Sequence, residues 1–388
     1  MPPRNIWGPP VRGEDCFARG PFVELLEQRL RDGCVLLSAP RRWGKSSVLR
    51  MLVDRDPASR HYFDLYPCES AAAFVAEIAV SAAIGKVRIA QWVADTLGRP
   101  LDQIKSVKIG EIAFELRDRL RDATDWQRAG SRIFAQLPAS HILVFDEFPV
   151  LVKSILDRDP KEAGALLRWL RTERQRDGAP RLVLAGSTSL PELCRQAGFS
   201  DTINDLILLP LPRLDRPAAK LLLRSVLETE GVKVVDETVG AAVDLVGPEV
   251  PFFLQLMAAA IIAEVRDTLP APPTRRVSPT LVRRLYETVL LSPLYRPYLD
   301  DYRGRLDRSY LPAELDLACL LLNSLSQHRD GLELFALRNE AVAKGLGVDH
   351  LDRVLALLEG DFYVVREDGG GYRFFNRYLA DWWQRFHA

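Results

Sequence analysis

Residues 33–50 read GCVLLSAPRRWGKSSVLR. An apolar run, Val35-Leu36-Leu37, ends in a tight loop, and Gly44-Lys45-Ser46-Ser47 opens a stretch with helical character. A buried strand, a loop and a helix N-terminus in that order make the layout of a P-loop, which binds the phosphates of a nucleoside triphosphate. The residue types suit that task. Backbone N–H groups of the loop and of the helix start point at the anion, and the helix dipole favours its charge. Gly44 lets the backbone approach the β-phosphate, Lys45 reaches the β/γ oxygens, and the Ser46 hydroxyl completes a Mg²⁺ shell. The nucleotide-contacting set is therefore Ala39, Pro40, Arg41, Arg42, Trp43, Gly44, Lys45, Ser46 and Ser47. One position departs from GxxxxGK[ST]: Ala39 stands where the first Gly is expected. Alanine fits there if its φ is negative, and Pro40 pre-sets the next φ. The competing reading is a chance GKS run at a helix start.

A second segment weighs against chance. Residues 141–149 read HILVFDEFP. Ile142 to Phe145 show no alternation, as expected for a parallel strand buried on both faces. Asp146 and Glu147 follow at its C-terminal end. In P-loop ATPases an acidic pair at this place is the Walker B motif. Its Asp holds the Mg²⁺ shell, and its Glu orients or deprotonates the attacking water. The alternative is a strand ending in a solvated acidic turn. Taken together, the two motifs imply ATP and Mg²⁺ as ligands and hydrolysis of ATP as the activity.

Composition fits that reading. The chain has 388 residues, enough for two or three domains with their own cores. Lys plus Arg and Asp plus Glu both number 52, which argues against bulk nucleic acid or an acidic membrane as the main partner. The five cysteines have neither CxxC nor zinc spacing, and no signal peptide is evident, so the expectation is a cytoplasmic protein with reduced thiols. No apolar run approaches the ~18–20 residues that a membrane span needs. The histidines are isolated, so no metal is expected besides nucleotide-bound Mg²⁺.

Along the chain, residues 1–20 are Pro/Gly-rich and read as an N-terminal arm. Residues 21–212 read as the α/β core, with strands at 35–37, 61–65, 141–146, 181–186 and 206–209 separated by helical stretches, the pattern of a parallel sheet. Residues 70–138 are long for a crossover. They contain an Ala-rich helix from 71, a hairpin signal around 104–116 and a polar helix from about 117. Residues 213–293 read as a helical lid of three or four helices, broken at GPEVP (247–251). Residues 294–308 form a charged, Tyr-rich connection. Helices at 312–325, 332–344 and 349–359 precede a hairpin pairing 362–366 with 372–375 across Asp368-Gly369-Gly370-Gly371, and a terminal helix follows. Three helices plus such a hairpin read as a winged helix.

End to end, the chain resembles the archaeal-type P-loop ATPases of the STAND class, a branch related to AAA+ proteins, in its bacterial version. APRRWGKSS resembles that family's PRRxGK[ST] loop, and FDEFP its hhDEhP motif. LLRWLRTERQ (166–175) resembles the helix after Walker B, LAGSTSL (184–190) the sensor strand, Pro251-Phe252-Phe253-Leu254-Gln255 the lid signature, and YRFFNRYLADWW the C-terminal end. Phe17-Ala18-Arg19-Gly20 is similar to a worn hhGRExE motif in which Ala18 and Gly20 replace Gly and Glu, leaving Arg19 as its nucleotide contact. The resemblance implies a P-loop NTPase fold of the ASCE/AAA+-like type, with the sensor strand between the P-loop and Walker B strands, a helical lid that brings Pro251 to the nucleotide, and a C-terminal winged helix. It also places Ser187 and Thr188 beside the γ-phosphate. Of these Ser187 is the preferred sensor, and an ST-turn after the strand is the alternative.

Arg168, Arg171 and Arg174 recur at i, i+3 and i+6 of one helix. One of them, taken as Arg171, supplies an arginine finger, or the three form a solvated basic face beside Glu173 and Asp177. The third helix of the winged domain, DHLDRVLALLEGD, is acidic, which disfavours it as a DNA reader. Basic clusters at Arg275-Arg276, Arg283-Arg284 and Arg303/Arg305/Arg308 keep DNA contact open. The expected function is a Mg²⁺-dependent ATPase switch, whose nucleotide state controls lid and winged-helix packing and binding to a protein partner or to itself. At family level such switches serve in stress or phage defence. The alternatives are a DNA-associated motor or loader and a scaffold that binds nucleotide without turnover.

Overall fold

The structure, a computed structural model, describes residues 3–83, 87–98, 109–120, 123–267, 277–346 and 348–388. The chain divides into two compact units. One comprises Arg19–Ala39 and Lys45–Leu211; the other comprises Met1–Ala18, Pro40–Gly44 and Pro212–Ala388.

The first unit is built on a five-stranded parallel sheet of β1 (Val35–Ser38), β2 (Arg60–Asp64), β3 (Ile142–Asp146), β4 (Arg181–Gly186) and β5 (Ile207–Pro210), in the order β2-β3-β4-β1-β5. The strand expected between the P-loop and Walker B strands, β4, lies there. Strand limits differ from the sequence reading by at most one residue, as strand ends do where the apolar run fades into polar residues. Leu37, Val144, Phe145 and Leu184 are fully buried, because helices cover both faces of a parallel sheet. In parallel register the C-terminal ends align: Ser38 stands opposite Gly186, and Asp64 opposite Asp146. All phosphate-chemistry candidates on strands thus emerge along one edge, the usual ligand edge of open α/β sheets.

One expectation fails. Residues 109–116 of the proposed hairpin belong to a helix, Ile109–Arg119, while 104–108 lie outside the described residues. Ile112, Leu116 and Leu120 are buried at helical spacing, whereas Phe114 is exposed beneath the Arg117 guanidinium. The local alternation suggested period two; burial against the Ala-rich helix Ala71–Ala83 selects period 3.6. The polar helix begins at Ala123 rather than 117, because 117–119 close the preceding helix and 121–122 lie outside the described residues.

The second unit contains lid helices Arg216–Thr229, Asp236–Val246, Pro251–Asp267 and Pro279–Leu285, the last running into a π-helical turn, Tyr286–Leu290. Much of the connection read at 294–308 is helical, as Asp300–Ser309. Three helices follow, Pro312–Gln327, Leu334–Ala343 and Leu351–Gly360, then the hairpin β6 (Val364–Arg366) and β7 (Tyr372–Phe374), and the terminal helix Arg377–Phe386. This is a winged-helix order of elements. Leu351, Val354, Leu355 and Leu358 are buried as one stripe, and Trp382 and Trp383 are fully buried anchors. Among the described residues, no helix is long and apolar enough to cross a membrane.

Candidate functional site

The helix Lys45–Asp54 starts directly after the loop, and its first two side chains meet the end of β3. Ser46 Oγ donates to Asp146 Oδ2 at 2.6 Å. Lys45 Nζ lies 3.1 Å from Glu147 Oε1 and 3.8 Å from Asp146 Oδ1. Lys45 and Asp146 are almost fully buried, whereas Glu147 is about a quarter exposed, so the cation is desolvated while its nearer partner still reaches solvent. A buried ammonium is tolerated when carboxylates surround it.

Glu147 is the first residue past β3 and has φ 58, a left-handed conformation that costs a non-glycine residue about 1–2 kcal/mol. Backbone strain of this kind collects at functional sites. Its Oε1 meets Lys45, while its Oε2 is buried with no hydrogen-bond partner. The Glu147 N–H donates to Asp146 Oδ1 at 3.1 Å, which ties the two acids together.

Tyr62 completes the arrangement, and sequence reasoning did not single it out. It sits on β2, and its hydroxyl donates to Asp146 Oδ2 at 2.8 Å. Burial, and then the Asp146 carboxylate, push this phenol well above its ordinary range, so it stays a neutral donor. The Arg50 guanidinium covers its ring at 4.3 Å. The signal for Tyr62 is the β2–β3 register, in which Tyr62 faces Val144, two residues before Asp146. Asp64, by contrast, accepts from the Tyr66 N–H and closes a strand-end turn.

Gly186 ends β4, and a Cβ there would come within 2.4 Å of Pro149 Cδ. Proline in the first turn of the helix after Glu147 therefore requires a glycine on the neighbouring strand. Ser187 follows and is buried. Arg171 Nη1 donates to the Asp201 carbonyl at 2.6 Å and lies 3.8 Å from the Asp201 carboxylate. Arg174 is a buried structural residue that grips both carboxylate oxygens of Asp205, at 2.9 and 2.5 Å. Arg19 is buried at the start of the helix Gly20–Asp32. Ala18, where the resembled motif has glycine, is left-handed with φ 55.

The loop tip, Pro40–Gly44, belongs to the same unit as Pro212–Ala388. Ala39 is buried and has no left-handed φ, which is why alanine is accommodated; Arg42 and Gly44 are left-handed, with φ 68 and 88. Arg41 pairs with Asp301 at 2.8 Å, and its carbonyl accepts from the Tyr302 hydroxyl at 3.4 Å. The Arg42 guanidinium lies 4.0 Å from the centre of the Phe252 ring, next to Pro251, which opens the lid helix Pro251–Asp267. Trp43 is buried near the Phe362 ring.

The residues suit a magnesium–nucleotide complex. Ser46 and Asp146 present adjacent hard oxygen donors, Lys45 supplies a buried cation, and Glu147 retains an unused carboxylate oxygen. Among the described residues there is no cluster of three or more His, Cys, Asp or Glu that would hold a metal by itself.

No protein-family model matches the chain, and no curated protein does. Solved structures do. The Walker-type ATPase PABY2304 of Pyrococcus abyssi is similar with a TM-score of 0.65 at 18% identity, over 97% of this chain and 98% of that one. The Aeropyrum pernix ORC2 protein, solved as ADPNP–ADP complexes, is similar with a TM-score of 0.51 at 14% identity, over 92% and 89%. At these identities the likeness is one of fold. With the sheet order and the Lys45–Asp146–Glu147 cluster in place, the chain has the fold of a Walker-type P-loop ATPase.

Proposed function

We propose that the chain binds and hydrolyses ATP with Mg²⁺. The observation that carries the reading is the convergence of Lys45, Ser46, Asp146 and Glu147 in one partly buried cluster. Ser46 and Asp146 would hold Mg²⁺, which when bound neutralises charge on the phosphates. Lys45 exchanges its carboxylate partners for β/γ oxygens, and the N–H groups at the start of the helix Lys45–Asp54 are offered to them. Released from Lys45, Glu147 orients the attacking water and takes its proton, and the hydrogen bond from Tyr62 keeps the Asp146 carboxylate aimed. Ser187 acts as the γ-phosphate sensor. Arg171 is the finger candidate and must leave the Asp201 carbonyl to act. The proposed output is a nucleotide-dependent change in lid and winged-helix packing that exposes a surface for a protein partner or a second copy, as in the STAND class.

A DNA-associated ATPase is the second reading, supported by the winged-helix order of elements. Part of its basic surface is engaged internally: Arg305 is buried near Asp361, and Arg303 and Arg308 pair with Asp307 and Asp301. Arg275 and Arg276 lie outside the described residues. The deciding experiment compares phosphate release and ATP calorimetry in the wild type, Lys45→Ala and Glu147→Gln, with and without duplex DNA at several salt concentrations. Turnover no greater than that of Glu147→Gln defeats the hydrolytic reading. DNA-stimulated turnover with a steep salt dependence favours the second reading over the switch.

A further inference from the structure

Within the unit that holds the C-terminal helices lies a cavity of about 390 Å³ that the nucleotide reading does not use. Its walls come from the lid helices, from the π-helical turn Tyr286–Leu290 and from the terminal helix Arg377–Phe386. Four guanidinium groups line it, from Arg283, Arg329, Arg377 and Arg385, against two carboxylates, Glu287 and Asp381. The chain as a whole balances its charges, so this is a local cationic excess.

The carboxylates do not use up that excess. Asp381 accepts from the Tyr286 hydroxyl at 2.7 Å and lies 3.8 and 3.7 Å from Arg329 and Arg377, so one acid already serves three groups. Arg377 also donates to the Asp244 carbonyl at 2.9 Å, whereas Arg385 donates to the Glu287 carbonyl at 3.2 Å, a neutral acceptor that leaves the Arg385 charge uncompensated. Arg377 Nε is buried without a hydrogen-bond partner. Arg283 belongs to no ion pair among the described residues.

Planar guanidinium forks match phosphate oxygens. The volume falls in the ~300–1,000 Å³ range of small-molecule sites, and Leu245 and Leu291 give the cavity an apolar side. A π-helical turn is rare and concentrates at functional sites; here it follows Arg283 and carries Tyr286 and Glu287 into the cavity wall. We infer that this cavity binds a small phosphorylated anion of at least two negative charges, held chiefly by Arg283 and Arg385, with Arg329 and Arg377 flanking. Such a ligand joins the lid to the terminal helix and stabilises that unit by binding only its folded form.

The test is calorimetric titration of the full chain with inorganic pyrophosphate at about 0.15 M salt, together with thermal melts. The wild type and Lys45→Ala are expected to bind pyrophosphate at a common site and to melt higher in its presence. In the Lys45→Ala background, adding Arg283→Ala/Arg385→Ala weakens that binding at least tenfold and abolishes the melting shift. Arg195→Ala, which removes an exposed arginine of the other unit, leaves both unchanged. Three results overturn the inference: no saturable binding; binding lost in Lys45→Ala but kept in the double arginine variant alone, which assigns the anion to the P-loop; or a double arginine variant that loses only duplex DNA binding, which marks a nucleic-acid face.

Discussion

Lys45 Nζ sits 3.1 Å from Glu147 Oε1, so the residue that would neutralise phosphate charge is held by the residue that would activate water. Glu147→Gln preserves an acceptor for Lys45 and removes the base. It should keep ATP binding, keep the melting temperature within a few degrees, and lose ~10²–10⁴ in turnover, read by phosphate release. Lys45→Ala leaves Asp146 buried without its cation. It should lose ATP binding and about 3 kcal/mol of stability, read by calorimetry and urea melts.

Gly186→Ala tests the packing behind Glu147. The new Cβ would overlap Pro149, in the first turn of the helix that follows Glu147. Overpacking of this kind costs ~1–3 kcal/mol. Stability and turnover should fall together, whereas Glu147→Gln lowers turnover alone.

Arg171 and Arg174 are three residues apart and should behave oppositely. Arg174 is buried with both Asp205 oxygens in its grip, so Arg174→Ala should cost ~3–5 kcal/mol in a denaturant melt. Arg171 is partly exposed, so Arg171→Ala should shift stability by ~1 kcal/mol or less. If it is the finger, turnover drops ~10³-fold or more at unchanged ATP affinity. Unchanged turnover would remove Arg171 from the catalytic set.

Alkaline pH should destabilise the C-terminal unit through Tyr302. Burial pushes this phenol up to about 12, against the opposing pull of Arg305, Arg42 and Arg41. A folded-state value above the unfolded one means full stability below about pH 10, where both states are protonated. Between about 10 and 12 only the unfolded state ionises, so stability falls by about 1.4 kcal/mol per pH unit. Tyr286, Tyr310, Tyr363 and Tyr378 of the same unit are raised by burial too, so Tyr302→Phe should reduce the slope of stability against pH in that window by one group's share, read from melts of both proteins across the window.

Ala18→Gly should stabilise the chain. Ala18 holds φ 55, a conformation that costs an L-residue about 1–2 kcal/mol and glycine almost nothing. Glycine's greater freedom when unfolded takes back ~0.4–1 kcal/mol. The net gain is about 0.5–1 kcal/mol, measurable as a rise in the denaturation midpoint.

From sequence by itself came the P-loop and Walker B segments, the five parallel strands, the buried stripe Leu351–Leu358 and the turn at Asp368–Gly371. These are local: a run of apolar residues, a 3.6-residue period or a glycine cluster limits its own backbone before anything distant touches it. Tertiary structure alone decided the rest. Residues 109–116 became helical because they pack on the helix Ala71–Ala83. Tyr62 became the donor to Asp146 because of the register between β2 and β3. Arg174 was withdrawn from the finger candidates because Asp205 lies beside it in space. Each of these depends on a neighbour brought close by packing, and no periodicity within a single segment encodes a neighbour dozens of residues away.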